Sequence, residues 1–72
     1  MPIVIDHIAL RRARERRGER REEVCVAVRC SYPMLAGLEH GSINPSLRLL
    51  AALARHYDVS TDTLIRTPAG AA

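Results

Sequence analysis

The chain has 72 residues, of which 47% are hydrophobic and 26% are charged, and its net charge is +3. This length predicts one small domain, 1–72, that buries about 60% of the surface of its unfolded chain, and the composition excludes a disordered chain. Because there is no apolar run of roughly 20 residues and no signal-peptide pattern, we expect a cytoplasmic protein with no membrane contact.

The positive charge is concentrated in the first part of the chain. Residues 1–30 carry eight arginines and five carboxylates, whereas residues 31–72 carry three of each. This uneven distribution favours a polyanionic partner, although a solvated helix with ion pairs on its surface would give the same composition. Since the aromatic residues are Tyr32 and Tyr57 alone, the core must be aliphatic, and stacking on single-stranded nucleic acid is disfavoured.

The first predicted helix begins after an N-cap at Asp6 and runs to about Arg17. Gly18 follows it as the residue that ends the helix. We expect its inward side to consist of Leu10, Ala13 and the aliphatic stem of Arg17.

The next two predicted helices are short and close together. The second covers about 21–28, and the third runs from a Ser31 cap to about His40, with Gly41 as its terminator. Pro33 falls in the first turn, where a helix needs no N–H donor. Two such helices joined by a tight turn form the unit that places a helix in the major groove of DNA.

The fourth helix has the clearest pattern, because apolar residues recur at helical spacing from its Ser46 cap to Tyr57. A short fifth helix with a Ser60 cap is expected after it. The predicted fold is therefore all-α, with five helices in a core of about 6–66 and a flexible tail at 67–72.

From residue 10 to residue 65 the chain resembles the phage-repressor-like helix-turn-helix domains of the Xre family, the Cro/repressor type. The matching motifs are Arg17-Gly18, Glu22-Glu23-Val24-Cys25, Leu38-Glu39-His40-Gly41, Asn44-Pro45-Ser46-Leu47, Leu53-Ala54-Arg55 and Val59-Ser60-Thr61-Asp62. The resemblance implies a five-helix bundle of the lambda-repressor type that binds double-stranded DNA, often as a homodimer, and regulates transcription.

By position, the resemblance also assigns contacts to particular residues. Arg21, the first residue of the second helix, would meet a backbone phosphate, and Asn44 would lie near a second phosphate. An ion pair of Arg14 with Glu39 would tie the first helix to the end of the third. The residues expected to contact DNA are Arg20, Arg21, Ser31, Tyr32, Pro33, Met34, Gly37, His40 and Asn44.

The expected base-reading face lacks the side chains that usually read bases. Arg, Asn and Gln do so through paired hydrogen bonds, whereas Tyr32, Pro33 and Met34 offer hydroxyl or apolar contacts. Either specificity depends on DNA shape and on the arginines, or the face binds a protein, as in an antitoxin-like or repressor-binding module. Gly37 either permits a close backbone approach or is a tolerated defect that costs about 1 kcal/mol relative to alanine.

Arg20 and Arg21 place positive charge at the N-terminus of the second helix, where it opposes the helix dipole by roughly 0.3–1 kcal/mol per group. A phosphate docked there would be bound both by free N–H groups and by the guanidiniums. The pair therefore favours an anion site, and exposed arginines without a role are the alternative.

The cysteines and histidines do not form a pattern typical of a metal site. Cys25 and Cys30 are five residues apart, and His7, His40 and His56 are scattered, whereas zinc needs three or four convergent ligands. We expect both cysteines to be reduced and to serve core packing. No catalytic constellation or phosphate-binding glycine loop can be recognised, so we expect no cofactor and no enzymatic activity.

The fourth helix carries more apolar surface than one core needs, which suggests a two-fold contact with a second copy. The alternative is that this strip packs under the arm formed by residues 1–5, although Ile3 and Ile5 could themselves pair across a two-fold axis. The residues expected at the dimer interface are Leu49, Ala52, His56 and Ile65.

Regulation of transcription would act by occlusion of DNA, by contact with RNA polymerase or another regulator, or by the abundance of the protein.

Overall fold

The computed structural model describes residues 4–66, so the predicted tail at 67–72 and the position of Ile3 lie outside the described residues. Within 4–66 the chain forms four α-helices, one 3₁₀ helix and two short strands. In chain order these are β1 (Val4–Ile5), α1 (His7–Arg16), α2 (Arg21–Val28), α3 (Tyr32–His40), α4 (Leu47–Tyr57), the 3₁₀ helix (Thr61–Leu64) and β2 (Ile65–Arg66).

The predicted fifth helix and the count of five α-helices are wrong. Thr61–Leu64 is a single 3₁₀ helix, and the Ser60 hydroxyl contacts the Thr63 hydroxyl at 3.1 Å rather than a backbone N–H. The chain then extends at Ile65, where β2 pairs antiparallel with β1 and Ile65 lies opposite Ile5. Pairing with the N-terminal arm therefore takes the backbone that a fifth α-helix would need.

The same pairing shows where Val4 and Ile5 of the N-terminal arm lie. Ile5 is buried in the core of its own chain, and the backbone N–H of Asp6 donates to the carbonyl of Leu64 at 2.9 Å. Ile5 is thus paired within the chain, and the suggestion that it pairs across a two-fold axis is not supported by its surroundings.

The starts of α1, α3 and α4 follow the predictions because a side chain near in sequence caps each of these helices. The Asp6 carboxylate accepts a hydrogen bond from the N–H of Ala9 at 3.1 Å. The hydroxyls of Ser31 and Ser46 accept from the third residue after each of them, both at 3.2 Å. Each cap satisfies a backbone donor that the first turn leaves free, a contribution of about 1 kcal/mol.

The core is aliphatic, as predicted, and Tyr57 is its single aromatic member among the described residues. On α1 the inward side differs from the prediction at one position. Leu10 is fully buried and Ala13 is half-buried, but Arg17 is exposed, and Arg14 turns inward instead. Arg14 faces inward because a buried carboxylate lies opposite it.

Across the described part of the chain, no helix has both the length and the apolar character needed to traverse a bilayer.

Candidate nucleic-acid interface

A tight turn joins α2 and α3. Arg29 adopts the left-handed conformation with φ of 57°, and the N–H of Cys30 donates to the carbonyl of Cys25 at 3.0 Å. This is the Schellman arrangement, which ends a helix and reverses the chain within two residues. Leu35 and Leu38 then hold α3 on the core, so its opposite side faces outward. Two short helices with this turn and an exposed outer helix define a helix-turn-helix domain.

The two cysteines contribute to this turn by packing. In a Schellman motif the side chains at the two positions that Cys25 and Cys30 occupy here are commonly in contact. Both are free thiols, Cys25 buried and Cys30 half-buried against the core. The prediction that they serve packing is therefore confirmed.

The buried thiol predicts a pH-dependent stability. Burial raises the pKa of Cys25 from 9.0 to about 11, and the adjacent Cys30 thiol adds to the shift. A thiol whose pKa is higher in the folded state stabilises the fold fully below pH 9, and this contribution disappears as the pH rises through 11. We therefore expect the free energy of unfolding, measured in urea, to fall between pH 9 and 11. A Cys25→Ala variant should show a smaller fall, and an unchanged pH dependence in that variant would contradict the assignment.

A buried carboxylate links α1, α2 and α3. Glu39 is 3% exposed, and Arg14 contacts both of its oxygens, with Nε to Oε2 at 2.8 Å and Nη2 to Oε1 at 3.0 Å. Arg21 adds a third hydrogen bond, from Nε to Oε1 at 3.0 Å. The hydrogen bonds with Glu39 raise the pKa of Arg14. The pair that the resemblance implies is thus in contact, and it has Arg21 as a second cationic partner that the sequence analysis missed.

Arg21 also connects the start of α2 to the start of α3. Its Nη1 lies 3.4 Å from the hydroxyl of Tyr32, and the hydrogen bonds with Tyr32 and Glu39 raise the pKa of Arg21. The side chain remains 32% exposed. The end of α2 that could hold a phosphate therefore lies directly beside the first turn of α3.

Arg20 is the freer of the two arginines at this end. Its backbone N–H donates to the Glu23 carboxylate at 2.8 Å, so the α2 end is stabilised by Glu23 rather than by a side-chain cap at Arg20. Within residues 4–66 the Arg20 guanidinium forms no ion pair, and the residue is exposed. It is therefore the cation at this end most available to an anion.

The outward face of α3 contains most of the residues predicted to meet bases. Pro33, Gly37 and His40 lie on the side of the helix opposite Leu35 and Leu38. Tyr32, Met34 and Ser31 are exposed along the adjacent edges of the helix start. The structure thus brings these residues together on one surface, although the hydroxyl of Ser31 already caps α3.

Gly37 has a role that the sequence analysis did not anticipate. A Cβ atom at this position would lie 2.8 Å from Cδ1 and 2.9 Å from Cγ1 of Ile43. The space over the glycine is thus filled by a side chain from the α3–α4 loop. Gly37 is therefore neither an open approach for a DNA backbone nor a simple defect, and no local sequence pattern predicts this contact between a helix and the loop after it.

Asn44 follows Ile43 in the same loop and is tied to the N-terminal arm. Its side-chain carbonyl accepts a hydrogen bond from the N–H of Ile5 at 3.0 Å. Asn44 is exposed at the surface, but this bond fixes its orientation and joins the loop to β1. Its contact with the arm is a structural role that the resemblance did not imply.

The strip on α4 that was assigned to a dimer lies largely within the single chain. Leu49 is 3% exposed and belongs to the core, and Ala52 and Ile65 are half-buried against that core. His56 binds the Glu19 carboxylate through Nε2, at 2.9 and 3.1 Å. The assignment of Leu49 to a dimer surface is corrected here, because its side chain is buried in the core of its own chain.

Comparison with known proteins agrees with this geometry. A family profile described as a helix-turn-helix domain matches residues 8–67. The HTH-type transcriptional regulator DdrOP3 of Deinococcus deserti is 39% identical over 56 residues, which cover 78% of this chain and 43% of that protein. The chain thus matches less than half of the length of that relative. It belongs to the helix-turn-helix domain family, which confirms the resemblance to domains of the Xre and Cro type.

Proposed function

We propose that this chain is a sequence-specific, double-stranded DNA-binding transcriptional regulator that acts in the cytoplasm, without a catalytic function. The observation that carries the proposal is the 3.4 Å approach of Arg21 to Tyr32. It places the cationic start of α2 beside the first turn of an outward-facing α3. An arrangement of this kind can hold a phosphate at α2 while α3 enters the major groove.

The electrostatics support the same proposal. A phosphate at the α2 end would meet the helix N-terminus and the Arg20 guanidinium, which is free within the described residues. Arg21 would be held for the same phosphate by Glu39. Because Glu39 is shared with Arg14, the group of two guanidiniums and one carboxylate keeps a net positive charge that favours an anion.

The phosphate contact can be tested with Arg20, whose replacement leaves the Glu39 cluster intact. Arg20→Ala should weaken binding about equally for all duplexes and reduce the slope of log K against log salt by about 0.9, the value for one phosphate contact. Fluorescence anisotropy at several salt concentrations measures both quantities. Arg55→Ala is the matched control, since Arg55 is an exposed arginine on α4 and its loss should leave the slope unchanged. Equal slopes for Arg20→Ala and the unchanged protein would contradict the proposed contact.

We further propose that the chain binds DNA as a homodimer, through a surface other than the Leu49 strip. Large apolar side chains outside α3 remain exposed, among them Leu47 at 69%, and a two-fold arrangement would match a palindromic site. Selection of bound duplexes from a random pool tests sequence specificity and symmetry together. An enriched palindrome supports the homodimer, whereas single half-sites bound by a monomer in light scattering would contradict it. RNA polymerase or another regulator remains a proposed partner of the bound protein.

One observation favours a second candidate function, a protein-interaction module on the same fold. The exposed side chains on and beside α3 include Tyr32, Met34 and Ile43, none of which offers the paired hydrogen bonds of a usual base reader. If the folded protein retains no duplex at low salt, this second function replaces the first.

A further inference from the structure

The side chain of Ile43 lies at the centre of the outward face of α3. Gly37 lies two positions after Leu35, a rotation of about 200° around the helix, which places it on the side away from the core. A Cβ atom on residue 37 would lie 2.8 Å from Cδ1 and 2.9 Å from Cγ1 of Ile43. A loop residue thus occupies the space above Gly37 that a longer side chain on α3 would take.

This position leaves part of Ile43 available to a partner. The residue is 39% exposed, and Met34 and Tyr32 at the start of α3 are exposed apolar or aromatic side chains as well. The surface that would enter the groove therefore presents apolar atoms at its centre, with arginines beside it at the start of α2. Ile43 cannot donate or accept a hydrogen bond, so any discrimination it provides must come from apolar contact.

In the major groove one base differs from the others by an apolar group. Thymine carries a C5 methyl, whereas cytosine, adenine and guanine present hydrogen-bonding groups and no methyl. Burying one such carbon against an apolar side chain contributes a factor of about four in affinity. The chemistry of Ile43 therefore matches thymine and no other unmodified base.

We propose that Ile43 is a specificity-determining residue that recognises the C5 methyl of a thymine from its place over Gly37. The proposal deepens the proposed function and rests on it, since it requires α3 to enter the major groove. It also assigns base reading to a loop residue where the helix itself has only a glycine.

The test uses the best duplex from random-pool selection, with each thymine replaced in turn by uracil, which lacks the C5 methyl. One replacement should weaken binding of the unchanged protein about fourfold. Ile43→Ala should bind the thymine duplex more weakly and lose most of that fourfold difference. Val26→Ala is the matched control, because Val26 is an exposed branched apolar residue on α2, and it should keep the difference in full.

The possible outcomes distinguish a failure of the Ile43 assignment from a failure of the proposed DNA binding. If Ile43→Ala keeps the full uracil penalty at every thymine, Ile43 does not read the methyl, although the protein still binds DNA. The same conclusion follows if the selected duplexes have no thymine at a fixed position. If no duplex is bound at all, the proposed function fails and this inference fails with it. Ile43→Val, which removes Cδ1 while keeping a branched side chain, serves if the alanine variant does not fold, and it should show a reduced uracil penalty.

Discussion

Replacement of Glu39 by glutamine should lower the free energy of unfolding by about 3 kcal/mol. The carboxylate is 3% exposed and holds the guanidiniums of Arg14 and Arg21. An amide in its place carries no charge and can accept at only one of the two oxygen positions, so Arg14 is left half-buried without its counter-ion. For a chain of this length the whole stability is roughly 4–11 kcal/mol, so the loss is a large share of it.

Urea unfolding followed by circular dichroism measures this change. Glu22→Gln is the control, because it removes the same charge from an exposed position on α2, and its effect should stay within about 0.5 kcal/mol. Equal losses in the two variants would mean that the buried cluster contributes no more than a surface charge. The comparison therefore separates the effect of losing a buried charge from the effect of losing a charge at the surface.

Replacement of Gly41 by alanine should cost about 2–3 kcal/mol, for two separable reasons. The residue has φ of 83°, a conformation in which a Cβ costs roughly 1–2 kcal/mol. That Cβ would also lie 2.8 Å from Cδ2 of His7, so the imidazole ring at the start of α1 must move. The contact places the end of α3 against the start of α1, and alanine would disturb both helices.

Gly18 provides a control for the conformational part alone. It has φ of 66°, and a Cβ there would meet nothing within 4 Å, so Gly18→Ala should cost only about 1–2 kcal/mol. In a His7→Ala background the cost of Gly41→Ala should fall towards the Gly18 value, because the ring is gone. If the two glycine variants lose the same free energy in urea unfolding, the His7 contact has no energetic effect.

The proposed recognition surface would differ from one that reads bases with its own helix. In this proposal α3 would supply position, and the neighbouring elements would supply the contacting groups. Arg20 and Arg21 lie at the N-terminal end of α2, and Ile43 lies in the loop after α3. A helix with little hydrogen-bonding capacity of its own can thus remain in a DNA-binding role if adjacent segments provide the contacts.

The sequence by itself determined the features that have local causes. The starts of α1, α3 and α4 follow from caps at Asp6, Ser31 and Ser46, whose side chains accept hydrogen bonds from backbone N–H groups three residues away. The helix-turn-helix and its family were recognisable for the same reason, because cap, apolar spacing and turn recur in a fixed order along the chain. Each of these signals is contained within a few neighbouring residues.

The tertiary structure alone decided the features that join distant segments. The expected fifth α-helix is a 3₁₀ helix followed by a strand that pairs with the N-terminal arm, and Leu49 is a residue of the core. The partner of Glu39 in α2 and the filling of the space over Gly37 likewise depend on segments brought together by folding. Such contacts depend on the shape of the whole core, so residue spacing along the chain does not encode them.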